Sequence, residues 1–172
     1  LQMVGDELQS GGKIVIAIAA HGAIASRQPI LRATAEVGDL IVIAGTLGKA
    51  ACGLALLSSN DETLSASYPE LVSIQLRPVP DFGLGLELAA VASSMLAVSD
   101  ALSLDAGRLA SISNVSMNIK KELLERYAAI HEQAPQAIHS RASEAPPVSE
   151  WDCTLHRRED HCFLSTVSSP AP

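Results

Sequence analysis

Aromatic side chains are scarce in this sequence: Phe82, Phe163, Tyr68, Tyr127 and Trp151 are the five it has among 172 residues. So few rings leave no stacking platform for single-stranded nucleic acid. Positive charge is short as well, with 12 Lys and Arg against 19 Asp and Glu and a net of −7. Nucleic-acid backbones would meet no neutralising surface, which excludes a general nucleic-acid binder. An acidic chain still accepts a nucleotide where backbone N–H groups or Mg²⁺ meet the phosphates locally. Cysteine is limited to Cys52, Cys153 and Cys162, with no CxxC pair. That excludes a disulfide scaffold and implies free thiols in a reducing compartment, the cytoplasm. No uninterrupted apolar run is long enough for a membrane span, which needs about 20 residues. The most apolar stretch, Leu40 to Leu57, is broken by Gly45, Gly48, Lys49 and Gly53. No membrane partner is expected.

What the sequence has is aliphatic bulk. Hydrophobic residues make up 48% of it, enough for one domain with a real core. Residues 13–20 and 39–44 predict strands, joined by shorter ones at 95–98 and 116–119 and a last at 162–167. Helices are expected over 49–58, 68–76 and 102–112, and through Leu123, Leu124 and Tyr127. Another is expected after Asp81, which can cap it, with Leu84, Leu88, Val91 and Ala92 on one face. Pro29 predicts a short helical turn through Ile30, Leu31 and Arg32. Residues 132–150, rich in Pro, Ala, Ser and Glu, are expected to form a flexible loop. Alternating strands and helices give an α/β or α+β class for residues 1–172 as a single domain. Its ends, Leu1 and Ser-Ser-Pro-Ala-Pro, read as cut, so the chain is expected to be a fragment.

Four short motifs are candidates for chemistry. Val4-Gly5-Asp6-Glu7 sets a glycine that lets backbone approach a phosphate beside a carboxylate suited to Mg²⁺, though alone it is an ordinary Gly-Asp turn. Gly45-Thr46-Leu47-Gly48-Lys49 invites a phosphate-loop reading but departs from GxxxxGKS/T. Ile43 stands at the first glycine and Ala50 at the hydroxyl, so a strand-to-helix turn is favoured. Ser99-Asp100, at the end of one strand and the start of a helix, suits phosphate and its metal, and equally suits an N-cap. Cys153, His156, His161 and Cys162 offer the composition of a zinc module at 153–162. Their spacing matches no standard site, and adjacent residues such as His161 and Cys162 face opposite ways on a strand. HExxH and GxSxG are absent, and no catalytic nucleophile is assigned.

Taken in chain order, these signals resemble the thiamine-monophosphate kinase family. That family carries a GGDT-type turn, an H-G pair, an LLRSGAKPGD-like segment and GTLGDAAAGLALL. It continues with LRPxPR, DVSDGL leading into DLGH, and GGEDYELLFTV. This sequence has MVGDE at 3–7, AHG at 20–22 and ILRATAEVGDLIVIAGTLGKAACGLALL at 30–57. It then has LRPVPDFGLGLELAAVASSMLAVSDALSLDAGRL at 76–109 and WDCTLHRREDHCFLSTV at 151–167. The resemblance implies the C-terminal half of such an enzyme, with the mixed sheet and flanking helices of an aminoimidazole ribonucleotide synthetase-like C-terminal domain. It implies ATP-dependent phosphorylation of thiamine monophosphate to thiamine diphosphate, Mg²⁺, and a homodimer.

Residue by residue, the resemblance gives Gly5, Asp6, Arg32 and Ser99 to ATP, Asp6 and Asp100 to Mg²⁺, and Glu159 to the thiamine substrate. The departures are as specific. Ala97 replaces the first aspartate of DVSDG and Ala101 its glycine; Arg157-Arg158 replace the two glycines of GGED, and Glu7 the threonine of GGDT. The isolated chain is therefore expected to be inactive. A degenerate, non-catalytic member of the same fold is the alternative these departures support.

Overall fold

Strand β5 (Cys162–Val167) is the centre of the sheet that organises this chain, flanked by β3 (Leu40–Ala44) and β4 (Ala92–Val98). The computed structural model describes residues 2–8, 16–24, 27–59, 61–128, 155 and 160–169, with backbone alone at 2–8, 16 and 125–128. Both outer strands run antiparallel to β5, with Ile43 and Leu96 each paired to Leu164, so β3 and β4 point the same way. Their C-terminal ends meet the start of β5 on one side of the sheet. A second, two-stranded ribbon pairs β1 (Gln2–Leu8) with β2 (Ile16–His21), again antiparallel.

The alternation along β5 sends Leu164 and Cys162 to one face and Phe163 to the other. On the first face α5 (Leu102–Ser113) packs Leu102, Ala106 and Leu109 against Val98, Cys162 and Leu164, with Leu124 of α6 (Lys121–Ala128) completing the cluster. On the second face lies α4 (Phe82–Ala89). A Cβ built at Gly85 would stand 2.7 Å from the Phe163 ring, so that glycine is what lets helix and ring meet. A satellite core forms where α1 (Lys49–Ser58), α2 (Glu62–Ser67) and α3 (Pro69–Leu76) bring together Cys52, Leu56, Leu64 and Leu71. Fully burying such leucines stabilises by about 2 kcal/mol each.

The α/β class with flanking helices is as the sequence predicted, and every strand pairing among the described residues is antiparallel. The helix at 49–58 stands as expected. The one after Asp81, capped by the Asp81 carboxylate, which accepts the Leu84 N–H at 3.0 Å, ends at Ala89, so Val91 and Ala92, expected on its face, fall in the turn after it and on β4. Four local expectations are corrected. Residues 116–119 form no strand. Val115, Met117 and Ile119 do pack against the main core, so the alternation is real, but no ladder partner lies alongside. Pro29 starts no helical turn: residues 28–31 have no regular structure, and the Leu31 carbonyl accepts from the Met95 N–H at 3.3 Å and the Thr34 hydroxyl at 3.0 Å. Helix α2 was not foreseen; Asp61 caps it by accepting the Leu64 N–H at 3.0 Å. Val4-Gly5-Asp6-Glu7 is strand rather than turn. Met3 pairs with Ala20 and Asp6 with Ile18, so Val4 and Gly5 together oppose Ala19 in a bulge, a position glycine accommodates. Residues 13–15 and 132–150 lie outside the described residues.

Candidate functional site

Three segments converge where β3 and β4 end and β5 begins: residues 45–50, 98–105 and 160–162. Positive φ values at Gly45 (113°) and Gly48 (84°) turn the chain out of β3 into α1, which only glycine does without strain. The same lack of a side chain seats Gly45 against β5, since a Cβ there would lie 2.9 Å from that of Cys162. The Gly45–Lys49 segment is thus the strand-to-helix turn the sequence favoured, and an acidic side chain occupies the helix start. Asp160 accepts from the Gly48 N–H at 2.7 Å and the Ala50 N–H at 3.2 Å, satisfying donors that α1 leaves unpaired. Burial pushes the Asp160 carboxyl up to about 6, although those two N–H groups and the neighbouring His161 pull it the other way.

Across β5, the loop leaving β4 is held by a residue to which no role was assigned from sequence. Asp105, 3% exposed, accepts the Ser99 N–H at 3.0 Å and the Asp100 N–H at 3.1 Å through one carboxylate oxygen. Its other oxygen accepts from Arg108 Nη1 at 2.8 Å, and the same Nη1 donates to the Asp100 carboxylate. The bonds to Asp100, then to Asp105, hold the Arg108 guanidinium above its ordinary pKa. Neither Ser99 nor Asp100 caps α5. The N-cap position is Ala101, whose φ of 125° and ψ of 148° belong to a region that is essentially glycine's, and whose side chain is 1% exposed. His161, itself at φ 51°, donates its N–H to the Val98 carbonyl at 3.1 Å and so fastens the start of β5 to the end of β4.

Of the residues singled out from sequence, Ser99 and Asp100 stand together at this convergence. Arg32 does not join them: its carbonyl accepts from Ser113 Oγ at 3.2 Å, at the far end of α5. Twelve residues of helix separate the two places, about 17 Å. Gly5 and Asp6 lie on β1, in the ribbon with β2. Glu159 lies outside the described residues, as do Arg157, Arg158, Cys153 and His156. Sequence reasoning missed Asp105, Arg108 and Asp160. Asp105 and Arg108 fall where the family's DLGH stands and Asp160 is the aspartate of its GGED, but neither motif tells which backbone groups they hold, since the loop Asp160 binds lies 110 positions away.

The fit of a metal is poor. Among the described residues no group of three or more His, Cys, Asp or Glu could hold an ion. Asp100 is engaged by Arg108, and Ala97 offers no oxygen. For zinc, the Cys162 thiol faces the core at 3% exposure, and burial, then Asp160, pushes it up to about 12. A thiolate ligand is disfavoured there. A separate cavity of ≈ 580 Å³, lined by Ile41, Ile43, Met117, Ile119 and Leu123, opens between β3 and residues 115–124. No helix among the described residues is long and apolar enough to cross a membrane.

No protein-family model matches the chain. Its sequence is 30% identical over 171 residues to the thiamine-monophosphate kinase of Mycobacterium tuberculosis, a match covering 99% of this chain and 48% of that protein. Among solved structures, the thiamine-monophosphate kinase of Stenotrophomonas maltophilia K279a is similar with a TM-score of 0.59 at 30% identity, over 81% of this chain and 42% of that one. AaThiL complexed with AMPPCP and TMP shares the fold, with a TM-score of 0.55 at 24% identity over 81% of this chain and 42% of that one. The chain spans about half the length of the curated relatives it matches.

Proposed function

We propose that this chain is the C-terminal half of a thiamine-monophosphate kinase, acting with the remaining half to transfer the γ-phosphoryl group of ATP to thiamine monophosphate. The observation that carries this reading is the 30% identity spread over 99% of the chain. In the reaction a phosphate oxygen of thiamine monophosphate attacks the γ-phosphorus in line, and the bond to the ADP oxygen breaks. Such a transfer asks for positioning and charge neutralisation rather than a protein nucleophile, and none is assigned here.

The parts this chain would contribute are those the family resemblance gives it. Asp105 fixes the backbone at Ser99 and Asp100, and Ser99 is a nucleotide contact in this reading. Gly5 and Asp6 on the ribbon and Arg32 are the further ATP contacts in this reading, Arg32 through a fork that suits phosphate oxygens. Glu159 is its contact to the thiamine substrate. Mg²⁺ would supply charge neutralisation on the ATP phosphates, with Asp6 and Asp100 as its protein ligands. Asp100, paired to Arg108 and without an aspartate at 97, does not fit that role, so no step is routed through a protein-held ion at this loop. A homodimer in the cytoplasm completes the reading.

A second reading, a non-catalytic member of the fold, is favoured by one specific observation. Ala101 occupies a backbone conformation built for glycine, in the loop that carries Ser99 and Asp100. Calorimetric titration of ATP and thiamine monophosphate, with Mg²⁺, separates the two. It is run on this chain and on the chain joined to the N-terminal half of a relative. Saturable binding and turnover in the joined protein alone support the kinase reading; neither in either protein supports the non-catalytic one.

A further inference from the structure

We infer that Arg108 is a built-in cation of the 99–105 loop, standing beside Asp100 where a divalent ion would have to bind, so that Asp100 is not a metal ligand in this chain. The inference deepens the proposed kinase reading and concerns the same loop. A metal bound to a carboxylate sits about 2–2.5 Å from its oxygen. At Asp100 that side of the carboxylate is already occupied by Arg108 Nη1 in direct ion-pair contact. Metal entry would require the guanidinium to leave.

Two features hold it in place. The first is Asp105, whose carboxylate is 4% exposed and accepts Arg108 Nη1 at 2.8 Å, one helical turn away. Withdrawing the guanidinium would leave that buried charge without its counter-ion, which is strongly unfavourable. The second is the Ser99 and Asp100 N–H pair, which keeps Asp105 from turning to follow. The result is a cluster that supplies its own positive charge. Both contacts are made by Nη1, and the Arg108 side chain is 48% exposed. Phosphate oxygens approaching this loop therefore meet a guanidinium, which is suited to them by its planar fork.

The test is titration of Mn²⁺ into the full chain, followed by water-proton relaxation, for the wild type, Arg108→Gln, Asp100→Asn and the double variant. The expected result is that wild type and Asp100→Asn take up Mn²⁺ identically. Arg108→Gln gains a site about tenfold tighter or more, and the double variant loses that gain. Weaker uptake in Asp100→Asn than in wild type overturns the inference, because Asp100 would then be a ligand already. So does a folded Arg108→Gln that gains nothing, or a gain that survives in the double variant. If Arg108→Gln does not fold, the comparison of wild type with Asp100→Asn decides. Merely loosening the helix would not create an Asp100-dependent Mn²⁺ site. The experiment uses neither ATP nor turnover, so failure of the kinase reading leaves its result intact.

Discussion

The Asp160 carboxylate accepts the Gly48 N–H at 2.7 Å, joining the segment that leads into β5 to the turn that opens α1 across 112 positions of sequence. In a phosphate-binding loop the helix N-terminus is kept clear for the ligand. Here the protein's own carboxylate takes those donors. The Gly45–Gly48 turn therefore works as a structural joint, and of the nucleotide contacts proposed for this chain Ser99 lies on the neighbouring loop after β4.

This joint carries a pH dependence. Burial holds the Asp160 carboxyl up at about 6 in the folded chain against an ordinary value of 3.8. Between those values the folded protein holds a proton that the unfolded chain has released. Stability from this group is therefore full below 3.8 and is lost as pH rises through about 6. Replacing Asp160 with Asn removes the titration while keeping one acceptor. Urea midpoints are expected to show the stability of wild type relative to Asp160→Asn falling by roughly 2–3 kcal/mol between pH 4 and pH 7. A difference that stays constant over that range would show that Asp160 ionises normally.

Ala101→Gly is expected to stabilise the chain. The backbone at φ 125° strains any residue with a Cβ, at roughly 1–3 kcal/mol. Part of that relief is offset by the entropy of glycine and by the loss of a methyl group that is 1% exposed. A net gain of about 1 kcal/mol in denaturant unfolding is the expected outcome. A loss of stability would mean the methyl packing outweighs the strain.

Gly53→Ala should act in the opposite direction. A Cβ at this position would stand 2.1 Å from the Leu71 carbonyl oxygen and 2.8 Å from Gln75 Cβ, so α1 and α3 would have to separate. Backbone cannot yield as a side-chain tip does, and a loss of about 3 kcal/mol is expected. Thermal melting of the variant gives the answer; a midpoint equal to that of wild type would rule out this helix contact.

Asp105→Ala removes the acceptor of two loop N–H groups and the buried partner of Arg108. The expected destabilisation is about 3 kcal/mol. Amide exchange at Ser99 and Asp100 should rise selectively, above exchange in the middle of α5. Unchanged protection at those two amides would show that something other than Asp105 holds the loop.

Much of the secondary structure was legible because it is local. The β-branched run at 39–44, the small apolar residues of 49–58 and the Asp81 cap each specify their element from neighbours in sequence. The misreadings share one cause. At 116–119 the apolar alternation is correct, but a strand also needs an edge to pair with. At 30–32 the Leu31 carbonyl accepts from the Met95 N–H on β4. Gly5 looks like a turn residue by composition and serves in a bulge because β2 lies opposite.

By itself the sequence determined the α/β class, the net charge of −7, and the order of motifs that resembles the thiamine-monophosphate kinase family. It also placed Ser99 and Asp100 where a strand gives way to a helix. Only the tertiary structure decided what surrounds them. Antiparallel pairing of β5 with both β3 and β4 brings Asp160 to the start of α1 and His161 to the end of β4, contacts between residues more than sixty positions apart. Packing of α5 then buries Asp105 beneath the loop and fixes Arg108 against Asp100. The reason is physical: a carboxylate's partner is set by which groups burial leaves within hydrogen-bond reach, and that reach is a property of the fold rather than of spacing along the chain.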